Sequence, residues 1–259
     1  MRSPAVWARA VRYRVAARRT VGRTTPSTPV YLFLHIAKNG GVTVSRYLGQ
    51  AYGRHALHVR SKSNAKDDIW AGIVRDRPDL GRLRAIHGHR VFHGLHEVVD
   101  REPRYFTFLR EPVSRTVSLY NFGIDSGLVP RDPSGEPVSF ERFLEGPAAR
   151  NGMLRFLYYA METGFTPGYD LPDPTPRHVE VAKRFLDACW FLGFVEEFDR
   201  DLAHVVRAVG PPVVDRHANR SVPYLRGELD PGLRREVLRL NEYDTELYEY
   251  ARELSRDRR

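Results

Sequence analysis

Three stretches of the chain hold residue types that can do chemistry together. The first reads HIAKNGGVTV, from His35 to Val44. Two adjacent glycines between an apolar run and a helical stretch let backbone N–H groups point at an anion. The helix start adds its dipole, Lys38 a charge and Thr43 a hydroxyl, which together make a phosphate cradle. A plain strand-to-helix turn with an incidental lysine satisfies the same residues. The order GxxxxGK[ST] is absent, since Lys38 precedes the glycines, so the turn is not a P-loop NTPase signature. The second stretch reads RYFTFLREPVSRTVSLYNFG, from Arg104 to Gly123. Arg110 follows a predicted strand and Ser118 lies eight residues on, in a predicted helix. Arginine grips a phosphate with two parallel bonds, and a serine hydroxyl adds a donor. Arg115 reads better as a structural ion pair or a solvated helix position. The third stretch, IHGHRVFHGLHE from Ile86 to Glu97, offers His87, His89, His93 and His96 as bases that titrate near neutrality.

These residues need elements to hold them. Val30 to Ile36 is a short apolar run with β-branched and aromatic character and reads as a buried strand. Val42 to Tyr52 reads as the helix after the glycines. Further helices are predicted over Asp67–Arg77, Pro112–Phe122, Ser139–Leu144, Asn151–Met161, His178–Ala188 and Glu196–Val209. One long helix is predicted over Asp230–Leu254, with Asp230 as N-cap and Pro231 in its first turn. Leu83–Ile86, Arg104–Leu109 and Trp190–Val195 read as strands. Gly123–Pro137 and Thr163–Pro176 read as loops. Strands alternating with helices predict an α/β fold with a mainly parallel central sheet flanked by helices. Ligands of such sheets bind at the carboxyl ends of the strands, which directs attention to the turns after Ile36, Ile86, Leu109 and Val195.

The segment AKNGG, set between a strand and a helix, resembles the 5′-phosphosulfate loop of sulfotransferases, usually PKTGGTS. FLREPVSRTVSLY resembles their 3′-phosphate motif, usually FxxRdPxxRxxSxY. The chain is most similar to the carbohydrate branch related to heparan sulfate 2-O-sulfotransferase and its bacterial relatives. The stretch from Ile86 to Glu97 resembles that branch's GHxxyGlhe segment. NGMLR, FLGFVEEFDRDL and NEYDTELY follow in the branch's order, so the resemblance spans roughly Val30 to Ala251. It implies a fold like that of P-loop nucleotide kinases and 3′-phosphoadenosine 5′-phosphosulfate as donor, with no metal. Carried over by position, Lys38, Asn39, Gly40, Gly41, Val42 and Thr43 hold the 5′-phosphosulfate, and Arg110 and Ser118 the 3′-phosphate. Asn219 and Ser221 resemble an NxS element in a loop over the nucleotide. Ala37, Asn39 and Val42 depart from the usual Pro, Thr and Thr, and Asn39 can donate from its amide instead.

The resemblance further implies His89 as general base. Lys38, a compact point charge, suits the leaving oxygen, and His87, Asn151 and Arg155 are candidates for the acceptor side, with a surface helix role the equal alternative for Asn151 and Arg155. Glu97 is the next candidate base. The acceptor is then a hydroxyl of a sugar, glycan or lipid-linked molecule. Two readings compete: a nucleotide-dependent kinase, and an inactive anion- or glycan-binding relative. Two of the histidines with Glu97 could also suggest a metal site, which sulfuryl transfer does not need.

Composition narrows the classes. The chain has 259 residues and a net charge of +9, from 41 Lys+Arg against 32 Asp+Glu. Seven arginines and no acid lie in residues 1–28, leaving 34 basic against 32 acidic residues elsewhere. The basicity is thus an N-terminal arm, and a nucleic-acid-binding face on the folded body is not indicated. The arm reads as a solvated tail; a short basic amphipathic helix at an anionic membrane surface, or a transit peptide, are the other readings. Residues 29–259 read as one domain. The single Cys189 excludes an intrachain disulfide framework. No apolar run of spanning length and no secretory signal is evident, so a cytoplasmic enzyme is expected, with the inner membrane surface left open and the oligomeric state unread.

Overall fold

The computed structural model describes residues 28–59, 66–76, 80–99, 101–162, 174–210, 225 and 229–258. The N-terminal arm up to residue 27, most of the predicted loop 163–176, and Asn219 and Ser221 lie outside the described residues. In chain order the described elements are β1 (Val30–Leu34), α1 (Gly41–Tyr52), β2 (Ala56–His58), α2 (Lys66–Asp76), β3 (Ala85–Gly88), β4 (Pro103–Leu109), α3 (Pro112–Ser126), α4 (Phe140–Leu144), α5 (Gly152–Met161), α6 (Pro176–Asp187), β5 (Cys189–Phe194), α7 (Phe198–Val209), α8 (Pro231–Leu240) and α9 (Glu242–Asp257). The five strands form one sheet in the order β2-β3-β1-β4-β5, and every pairing is parallel.

Strand alternation sorts the core into two layers. Val30, Leu32 and Leu34 of β1 join α5, α6 and α9 on one face, with Leu154, Phe185 and Leu247 at 0% exposure. Tyr31 and Phe33 join α1 and α7 on the other, with Val44, Leu48, Leu202 and Val205. Both faces of the sheet are therefore covered, which explains why β1 reads as an unbroken apolar run rather than an alternating one. A smaller apolar cluster joins α3, α4 and α8. The architecture is α/β with an all-parallel central sheet flanked by helices, as the sequence pattern predicted. No helix among the described residues is long and apolar enough to cross a membrane.

The Asp230 cap falls where the sequence put it. Asp230 accepts from the Gly232 and Leu233 N–H groups at 2.8 and 3.3 Å, with Pro231 in the first turn of α8. Glu111 caps α3 through Ser114 N at 2.7 Å, ahead of Pro112. Three expectations need correction. The predicted helix over Asp230–Leu254 is two helices, broken at Asn241. Asn241 donates back to the Val237 carbonyl at 2.9 Å and across to Ala149 at 3.0 Å, a side-chain competition with the helix ladder. The helix α3 runs to Ser126, through Gly123, which read as the start of a loop. A Cβ on Gly123 would lie 2.7 Å from Val129, so this glycine serves close packing, and the helix stops at Gly127 with φ 75°. The strand β2 was not read from the sequence.

Candidate active site

The loop between β1 and α1 is shaped by its neighbours. Gly40 sits at φ 73°, and a Cβ there would come 2.7 Å from the ring of Phe198. A Cβ on Gly41 would fall 2.0 Å from Cδ2 of His35, so the His35 ring lies directly on the start of α1. Both glycines are therefore required by contact, and Gly40 also by conformation. Lys38 adopts φ 69°; it and Asn151 are the non-glycine residues at positive φ among those described. A lysine in this conformation carries roughly 1–3 kcal/mol of strain, a cost that concentrates at functional positions. The first turn of α1 contains no acidic residue and no side chain caps it. Val42 is exposed and Thr43 half-buried there.

Arg110, just past β4, donates from Nη1 to the Lys38 carbonyl at 3.3 Å. This bond joins the two stretches at the carboxyl ends of the neighbouring strands β1 and β4. Burial lowers the pKa of Lys38, and the charges of Arg110 and Arg115 lower it further. Arg110 is shifted down chiefly by burial, against the opposing pull of Glu196. Cations held this close are destabilised until an anion joins them. The Lys38 ammonium sits 4.2 Å from the ring centre of Phe122, a cation–π contact. Phe122 follows Ser118 by four positions on α3, so the two share the helix face turned to the loop. Asn121, one residue earlier, exchanges hydrogen bonds with the Leu225 backbone at 2.8 and 3.2 Å. Leu225 ends the segment that contains Asn219 and Ser221.

Asn39 is 1% exposed and its Nδ2 donates to the Phe108 carbonyl at 2.9 Å. The amide expected at the anion thus ties the loop to β4. Its Oδ1 is buried with no hydrogen-bond partner.

Four histidines gather at the carboxyl ends of β1, β2 and β3. His35 stacks on His89 at 4.1 Å between ring centres, and His58 on His87 at 4.8 Å. His89 Nδ1 lies 2.5 Å from the His35 carbonyl. Only an N–H on Nδ1 makes this bond, which leaves Nε2 as the basic nitrogen. Burial pushes the His89 pKa down, partly offset by that bond. Burial and the neighbouring His89, His58 and His87 push His35 down to about 2. Both rings are thus neutral near pH 7, and His89 is able to take a proton. Glu97 lies in the turn after β3 and raises the pKa of His93, which burial lowers.

Asn151 caps and Arg155 lies on α5, whose Phe156 ring packs 5.7 Å from that of His89. Asn151 Oδ1 accepts from the Tyr243 and Asp244 N–H groups, each at 3.1 Å, and its own N–H donates to Asn241 Oδ1 at 2.8 Å. Asp244 is fully buried and accepts from Met153 and Leu154 N–H at 2.9 and 2.8 Å, at the start of α5. Arg115 packs over Gly152, whose Cβ would meet its guanidinium at 2.3 Å, and its charge acts on Asp244 together with that of Arg155. Arg115 therefore has the structural surroundings the sequence suggested.

Sequence reasoning did not single out His35, His58, Phe122 or Phe198. The first two end predicted or real strands, and strand-end histidines beside a glycine-rich turn are a usable signal. Phe122 was discoverable as the i+4 neighbour of Ser118. Among the described residues, no group of three or more His, Cys, Asp or Glu could hold a metal ion.

No protein-family model matches the chain. No curated protein matches it either. Among solved structures, the chain is similar to a sulfotransferase from Alicyclobacillus acidocaldarius, with 18% identity over 89% of this chain and 96% of that one, at a TM-score of 0.46. A likeness that distant assigns no chemistry to this chain, whose own residues must carry any functional reading.

Proposed function

We propose that the chain is a sulfotransferase that moves a sulfuryl group from 3′-phosphoadenosine 5′-phosphosulfate to a hydroxyl of a sugar, glycan or lipid-linked acceptor. The observation that carries the reading is the meeting of three sequence stretches at one loop. Arg110 bonds the Lys38 carbonyl, and His89 bonds the His35 carbonyl three residues before it. The residues suit an anionic nucleotide: two partly buried cations that repel each other, an uncapped helix start, and glycines whose Cβ positions are filled by neighbours.

The donor, when bound, supplies an activated sulfuryl group and a good leaving phosphate. Lys38 and the first N–H groups of α1 hold the charge at that end, and Arg110 with Ser118 holds the 3′-phosphate. His89 takes the acceptor proton at Nε2, since Nδ1 is spent on His35. The enzyme's contribution is then orientation and charge placement, as in phosphoryl transfer.

Calorimetric titration with 3′-phosphoadenosine 5′-phosphate tests this. Binding on the order of micromolar is expected, weakened roughly tenfold to hundredfold in Arg110→Ala and in Lys38→Ala. His89→Ala should keep nucleotide binding and lose turnover. Binding of ATP with magnesium in place of the bisphosphate would turn the reading to a nucleotide kinase. Binding of the bisphosphate with turnover unchanged in His89→Ala would remove the base assignment.

A further inference from the structure

The strand β5 forms one edge of the sheet, with β4 as its neighbour. Its outer edge is closed at both ends by side chains. Arg258 donates to the Cys189 carbonyl at 2.6 Å, and Asp201 accepts from the Phe194 N–H at 2.8 Å. Between these clamps lies a cavity of about 380 Å³, lined by Trp190, Phe191, Arg200, His204, Arg207 and Arg258 among others. That volume falls in the range of small-molecule sites. No residue of the Lys38–Arg110 site lines it.

Two properties of the lining point to a ligand. The first is charge. Arg200, His204 and Arg207 stand at i, i+4 and i+7 on α7, so one helix face presents all three. Asp201 is the one carboxylate among the described lining residues, and its oxygens serve the Phe194 N–H and Arg200. Glu197 also pairs with Arg200. Arg258 bonds the Cys189 and Asp187 carbonyls, which are neutral acceptors and leave its charge in place. The cavity therefore carries net positive charge from Arg207 and Arg258. The second property is shape. The His204 ring lies parallel to Phe191, 4.6 Å between centres and 11° between planes, with Trp190 5.6 Å from His204. The parallel pair is stacked face to face, and Trp190, inclined 36° to His204, extends it into an aromatic surface beside the arginines.

We propose that this cavity is a second binding site, for a small molecule that joins a phosphate or sulfate oxyanion to a flat ring. The oxyanion pairs with Arg207 and Arg258, in the forked geometry guanidinium groups offer. The ring lies against the aromatic surface of Trp190, Phe191 and His204. The site does not depend on the sulfotransferase reading, because it shares no residue with that machinery.

The test is calorimetric titration of the full chain, in the Lys38→Ala background to silence the loop site, with phenyl phosphate and inorganic phosphate as separate probes. Saturable binding of phenyl phosphate is expected, weakened about tenfold or more in Arg207→Glu and Arg258→Glu and unchanged in Arg239→Glu. Arg207 is exposed, so its variant stays folded even if loss of the Arg258 clamp disturbs β5. His204→Ala should weaken phenyl phosphate while leaving inorganic phosphate alone. Lack of saturation up to about 10 mM, or equal affinity in Arg207→Glu, overturns the site. Inorganic phosphate binding as tightly as phenyl phosphate overturns the ring half of the proposal.

Discussion

Lys38 and Asn151 share a backbone conformation that side chains rarely adopt, with φ 69° and 44°, yet they mark regions of opposite construction. Around Asn151 main-chain groups are answered by side chains: its amide oxygen holds two N–H groups, Asn241 holds its own N–H, and Asp244 caps α5 with Arg115 and Arg155 near. Around Lys38 like charges are crowded instead: after burial, Arg110 and Arg115 lower Lys38 and Arg115 lowers Arg110, against the pull of Asp125 on Lys38 and of Glu196 and Glu111 on Arg110. The first region is closed by hydrogen bonds within the fold. The second holds cations close together where burial already disfavours their charge, which costs stability. Arg115 belongs to both, since its charge acts on Lys38 and on Asp244.

The largest expected effect is in the first region. Burial pushes the Asp244 carboxyl up while Arg115 and the α5 N–H groups pull it back, so it is held by its neighbours. Asp244→Ala removes that carboxylate from between α5 and α9. A loss of about 3–5 kcal/mol in urea unfolding is expected, as for a buried pair broken on one side. A loss below about 1 kcal/mol would mean the buried carboxylate contributes no more than an exposed ion pair does.

The second effect is on pH, and it comes from the other region. His35 titrates at about 2 in the fold against an ordinary 6.5. Below pH 6.5 the unfolded chain takes a proton that the folded His35 refuses. Stability is therefore full above that pH and falls as the pH drops toward 2. By about pH 5 the loss due to His35 is roughly 2 kcal/mol. His89, also shifted down, adds to it. Urea midpoints at about pH 7.5 and about pH 5 should diverge in the wild type and converge in part in His35→Gln. An undiminished divergence would place the sensitivity elsewhere.

The smallest effect is the sharpest for the comparison, because it is one substitution made twice. Lys38→Gly relieves the left-handed strain and one crowded charge, and should stabilise the fold by about 1 kcal/mol. Asn151→Gly relieves similar strain but leaves the Tyr243 and Asp244 N–H groups without their acceptor, for a net loss of about 1 kcal/mol or more. Thermal unfolding of the pair reads the sign directly. The same sign at both positions would erase the contrast.

Much of this was written in local patterns. The apolar runs marked β1, β4 and β5, and the Asp230 and Pro112 signals marked the starts of α8 and α3. The strand β2 escaped because Ala56–His58 is three residues without an alternation to read. The break at Asn241 escaped because the apolar stripe continues on both sides, and only contact with Ala149 and Asn151, about ninety positions away in sequence, makes the break worthwhile. The candidate site shows the same division. Its three stretches were visible as motifs, and the strand-end rule pointed to the turns within them. That the His35 ring fills the space over Gly41, that Phe122 faces Lys38, and that Asn39 turns its amide to Phe108 are facts of tertiary packing.

The strand order has a kinetic side. The strand β1 lies in the middle of the sheet, yet it emerges first, and its partners β3 and β4 lie some fifty to seventy residues downstream. Its five buried residues are not paired on both sides until Leu109 has been made, and the far edge waits for β5 beyond residue 189. Such long-range parallel pairing slows folding and lengthens the time an apolar strand is exposed. The segment that leads into the candidate catalytic loop is thus an apolar strand that waits long for both of its neighbours during synthesis.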